Sequence, residues 1–108
     1  MSTKHYNKLI RDGVPNFIAK DKQVARFYTM SDSDYETALQ EKLYEEASEY
    51  FESKDATELA DILEVVQALA EHQGLSFEDI LFFKEEKRKR CGGFTNRLFL
   101  ETIEIPEE

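Results

Sequence analysis

The chain has little of what braces or loosens a scaffold covalently. Its single cysteine, Cys91, excludes an internal disulfide framework and sets a reducing cytoplasm as the expected compartment. Four glycines and two prolines in 108 residues leave no room for a linker, and no repeat or low-complexity tract interrupts the chain. No apolar run reaches membrane-spanning length, and the opening MSTKHYNK has no hydrophobic segment of the kind a signal peptide carries. Positive charge is also scarce: 14 Lys and Arg stand against 23 Asp and Glu, a net charge of −9. That balance argues against a broad groove for a nucleic-acid polymer, which needs clustered positive potential. It does not exclude a small anionic ligand, because a bound divalent cation reverses the sign of a local field.

What the chain does have is enough apolar material for one domain with a modest core: 41% hydrophobic residues, including five Tyr and eight Phe. Residues 34–90 read as helical and the two ends do not. Asp12-Gly13 signals a turn, and Pro15 is placed to open a short helix. QVARFYTM and RLFLETIEI each alternate apolar and polar residues, which predicts two strands pairing as a small antiparallel appendage between the termini. The residues 31–34, Ser-Asp-Ser-Asp, supply an N-cap for a helix running to about Glu52. Asp55 caps a second helix that Gly74 ends, and Ser76 starts a third that Gly92-Gly93 stops. Short connections predict antiparallel neighbours, and so a mainly α architecture in which three helices form a bundle.

Acids fall on the apolar side of the first two long helices. At 100° per residue, Leu39, Leu43 and Tyr50 share a stripe with Tyr35 beside it. Glu46 falls within that stripe, Glu49 at its flank, and Glu45 nearer solvent. On the next helix Ile62, Val65 and Leu69 share a face that Leu59, Leu63 and Val66 widen. Glu58 lies among them, and Asp61 sits at the boundary. Each helix thus carries an i, i+3 acidic pair at or inside its apolar face. An ionised carboxylate taken from water without a partner costs several kcal/mol. Raised pKa values, basic partners or a bound divalent cation would each resolve the cost, and Mg²⁺ is the cation that hard oxygen ligands select. The plainer alternative is that these acids are solvated helix surface with lysine partners. For the basic run KRKR, residues 87–90, the plainer alternative is a helix C-terminus complemented by positive charge. Three further features are set aside. His72 reads as a helix-end residue, Cys91 as inert packing, and Phe77, Phe82 and Phe83 as core or subunit interface.

Glu45-Glu46-x-x-Glu49 followed by Glu58-x-x-Asp61 resembles the signature of the all-α nucleoside triphosphate pyrophosphatases, the MazG-like superfamily. That group includes dimeric dUTPases, dCTP pyrophosphatases and phosphoribosyl-ATP pyrophosphohydrolases. The small-protein branch called phosphoribosyl-ATP pyrophosphohydrolase-like is more similar still. Its members open with a segment like Asn7-Lys8-Leu9-Ile10-Arg11-Asp12, and close with one like Lys87-Arg88-Lys89-Arg90-Cys91-Gly92-Gly93-Phe94. The resemblance spans nearly the whole chain. It implies a helical bundle completed by a homodimer or homotetramer, and hydrolysis of a nucleoside triphosphate to monophosphate and pyrophosphate with Mg²⁺, or Mn²⁺ in its place. It further implies that Glu46, Glu49, Glu58 and Asp61 hold the metal and that Glu45 orients or deprotonates water. Lys8, Arg11, Lys42, Lys87 and Arg90 are the candidates to clamp phosphates. Only eight residues separate Glu49 from Glu58, fewer than is usual in the superfamily, which makes one tight hairpin and leaves the number of metal ions open. The alternative of a different class is a non-catalytic dimerisation or regulatory module that kept the fold.

Overall fold

A computed structural model describes residues 2–107. Four helices make up the secondary structure of those residues: α1 (Val14–Lys20), α2 (Asp32–Ser53), α3 (Ala56–His72) and α4 (Phe77–Cys91). The chain divides into two compact units, one ending at Ser76 and the other beginning at Phe77.

Local chemistry sets the helix ends of the first unit. The Ser31 hydroxyl accepts a hydrogen bond from the amide of Asp34 at 3.3 Å, which caps α2. Asp55 caps α3 by accepting from both the amide and the hydroxyl of Thr57, each at 2.9 Å. Between them Lys54 turns the chain at φ 56°, ψ 25°, and its amide donates to the Tyr50 carbonyl at 2.7 Å. At the far end of α3, Gly74 takes φ +82°. Its amide donates to Glu71 and that of Leu75 to Ala70, both at 2.9 Å, the paired bonds of a Schellman cap.

Helix α3 folds back along α2. Tyr35, early in α2, meets His72 at the end of α3, with ring centroids 5.4 Å apart and planes at 86°. Glu46 lies with Glu58 and Asp61 nearer the turn, so the two helices run antiparallel. Leu39 (2% exposed), Val65 (7%) and Ala70 (3%) form the buried apolar seam, and Glu46 is buried among them at 7%. Leu59 and Leu63, expected to widen the apolar face of α3, stay about half exposed. Within this unit α2 is the helix that packs on α3, and one neighbour covers a stripe rather than a broad face.

In the second unit α4 ends where Gly92 takes φ +85° and its amide donates to the Arg88 carbonyl at 2.7 Å. A turn closed by the Arg97 amide on the Phe94 carbonyl, at 3.1 Å, leads into an extended tail.

One expectation needs correction. No strand occurs among the described residues, so the β appendage expected from QVARFYTM and RLFLETIEI is absent. Neither segment has a ladder partner among the described residues, and their large apolar side chains stay exposed. Val24 is 87% exposed and Leu98, Phe99 and Ile105 are 86–88% exposed. Alternation encodes an extended chain with two faces; without apolar cover on one of them, a two-stranded pair has little to hold it. Within the first unit the antiparallel pairing is that of α2 with α3.

Candidate metal centre

The carboxylates that sequence periodicity turns inward do meet. Ligand oxygens of Glu46, Glu58 and Asp61 lie within 4.8 Å of one another, and so do those of Glu45, Glu46 and Glu49. Glu46 belongs to both groups and is the most buried of the five, because it shares the stripe of Leu39. On Glu46 and on Glu58, Oε2 is buried and has no hydrogen-bond partner. Two acids on neighbouring helices thus each present an orphaned oxygen.

Three basic side chains answer part of this charge. Lys42 Nζ, one turn before Glu46 on α2, lies 3.1 Å from Glu45 Oε2 and 3.5 Å from Glu46 Oε1. Lys8 Nζ donates to Glu45 Oε1 at 3.1 Å, and Arg11 donates to Asp61 Oδ1 at 2.8 Å. The five carboxylates of these two groups outnumber the three cations paired with them.

Titration follows the geometry. Burial, and then the neighbouring charge of Glu49, push the Glu46 carboxyl above its ordinary value. Burial raises Glu58 too, reinforced by Glu49 and Asp61. Burial acts in the same direction on Glu45, but hydrogen bonds from Lys8 and Lys42 outweigh it and hold that carboxyl low. Lys8 is correspondingly raised by its hydrogen bond to Glu45 and by that carboxylate's charge. One carboxylate is held ionised while two beside it resist ionisation.

A hard divalent cation fits this donor set. The ligands are all carboxylate oxygens, they converge from two helices, and two of them lack any other partner. Glu46, Glu58 and Asp61 form one set of oxygens close enough to share an ion, and Glu45, Glu46 and Glu49 form the other.

Of the residues expected to contact phosphate, the structure brings Lys8, Arg11 and Lys42 to the carboxylates. Lys87 and Arg90 lie exposed on α4. Sequence reasoning missed the pocket of about 180 Å³ beside the acids. Leu9, Ile10, Tyr35, Leu39 and Val65 supply its apolar lining, and Glu46 and Asp61 also face it. The signal was the apolar pair Leu9-Ile10 set between two cations in a segment otherwise polar. No protein-family model, curated protein or solved structure matches the chain. None of the helices is long and apolar enough, among the described residues, to cross a membrane.

Proposed function

We propose that the chain is a cytoplasmic, divalent-cation-dependent nucleotide pyrophosphohydrolase of the MazG-like superfamily, splitting a nucleoside triphosphate or related nucleotide into monophosphate and pyrophosphate. Clearing unwanted nucleotides from the pool is a role such chemistry serves. The observation that carries the reading is the pair of buried, unpartnered oxygens on Glu46 and Glu58, two acids whose carboxylates lie within 4.8 Å of each other and of Asp61. A plain solvated helix face does not bury a carboxylate to 7% exposure and leave one of its oxygens unpartnered.

When bound, Mg²⁺ or Mn²⁺ neutralises phosphate charge and polarises a phosphoryl oxygen for attack by water. The residues of the chain do the rest. Glu46, Glu49, Glu58 and Asp61 would hold the ion. Glu45, kept ionised by Lys8 and Lys42, suits accepting a hydrogen bond and aiming a water more than pulling a proton from it, since a lowered pKa makes a weak base. Lys8, Arg11 and Lys42 offer donors to phosphate oxygens.

The test is a panel of nucleoside triphosphates with Mg²⁺, read by pyrophosphate release. The expected result is turnover of at least one substrate, abolished by chelator and reduced at least a hundredfold by Glu58→Gln in a protein that stays folded. A panel without release, or a Glu58→Gln variant with unchanged turnover, defeats the reading and favours a non-catalytic helical module.

A further inference from the structure

Lys8 and Arg11 are the site residues that come from outside the helical hairpin, and they arrive on one short segment without regular secondary structure. Lys8 reaches Glu45 on α2 and Arg11 reaches Asp61 on α3, so the segment spans both helices. Leu9 and Ile10 between them are half-buried and line the pocket beside the acids. The segment begins at Asn7, whose φ of 48° turns the chain, and leads through Asp12-Gly13 into α1.

Its two ion pairs are of an exchangeable kind. The Lys8 side chain is 44% exposed and that of Arg11 59%, and ion pairs so open to solvent are weak. The carboxylates around Glu45 and Asp61 outnumber the cations paired with them, and a divalent cation among those acids would weaken the attraction that Lys8 and Arg11 feel. The same two side chains carry the donors best suited to phosphate oxygens.

We infer that residues 8–11 form a counter-ion-exchanging strap: Lys8 and Arg11 neutralise Glu45 and Asp61 in the cation-free protein, loosen when a divalent cation takes the carboxylates, and close again onto the phosphates of the nucleotide. This rests on the pyrophosphohydrolase reading. It adds an order of events, cation before strap release, and strap closure only with phosphate. It also gives the segment two alternative sets of partners, so one substitution has opposite effects on the two ligands. Without Arg11 the acids bind a cation more tightly, and phosphate less tightly.

Trypsin reads the strap directly, because it cleaves after Lys8 and Arg11 and, as an internal reference, after the exposed Lys4. Cleavage at the two strap sites relative to Lys4 is followed by mass spectrometry in the intact protein, with Mg²⁺ binding measured by calorimetry in parallel. Mg²⁺ alone should raise the ratio at least threefold, and saturating Mg²⁺ with inorganic pyrophosphate should return it to the cation-free value or below. Mg²⁺ that binds but leaves the ratio unchanged overturns the strap and spares the pyrophosphohydrolase reading; absence of Mg²⁺ binding, with or without pyrophosphate, overturns both. Arg11→Ala should bind Mg²⁺ roughly two- to fivefold more tightly and pyrophosphate more weakly. A latch that merely holds the fold together would instead weaken both, and that result also sinks the strap.

Discussion

At the scale of single residues, Glu46 carries the central conflict of the molecule. It occupies a core position beside Leu39, yet it is an acid with burial and Glu49 both acting against its charge. Lys42 relieves only Oε1, at 3.5 Å. Removing the charge therefore stabilises the fold while destroying the site. Glu46→Gln in chelator-treated protein should melt higher by about 1 kcal/mol, roughly 4–8 °C for a chain of this size. The wild type should gain stability on adding Mg²⁺, and the variant should not. Thermal melts with and without Mg²⁺ decide it; a variant that melts lower without metal would show that Glu46 serves the fold itself. The conflict was legible in the sequence, because a helical wheel alone places Glu46 inside the apolar stripe. The partners of Lys8 and Arg11 were not, because they lie 37 and 50 residues away along the chain.

At the scale of elements, the α2–α3 hairpin depends on how its two helices stop. Lys54 and Gly74 both take left-handed backbone, at φ 56° and +82°, but only one of them is a glycine. A side chain in that region is strained, whereas glycine is not. Lys54→Gly should stabilise the hairpin by about 0.5 kcal/mol, the strain relieved less the added entropy of the unfolded chain. Gly74→Ala should cost about 1 kcal/mol although a Cβ there meets nothing within 4 Å, so its cost lies in the backbone alone. Denaturant midpoints measure both, and a neutral Gly74→Ala would refute the argument. These helix ends were read from Ser31, Asp55 and Gly74 because caps are local. Strands are not local, and the segments at residues 23–30 and 97–105 found no ladder partner among the described residues that alternation could have foretold.

At the scale of the whole molecule, the shortage is of buried apolar surface. The hairpin buries Leu39, Val65 and Ala70, while Tyr44, Phe51, Leu59 and Leu63 stay 45–79% exposed. A core this small is marginal in isolation. Association with further copies, as a homodimer or homotetramer, is the outcome we expect. Sedimentation velocity at micromolar concentration should give a mass two or four times that of one chain. A single-chain mass would remove that part of the proposal, with the carboxylate cluster unaffected.

Helix positions, their caps and the inward phase of Glu46 and Glu58 were determined by the sequence alone, since each depends on neighbours within about four residues. Only the tertiary structure decided that acids from α2 and α3 meet, that Glu45 is held low while Glu46 and Glu58 are raised, and that Lys8 and Arg11 from the N-terminal segment pair with Glu45 and Asp61. Those outcomes depend on distances between residues far apart in the chain, and on burial, which exists only once two helices have packed.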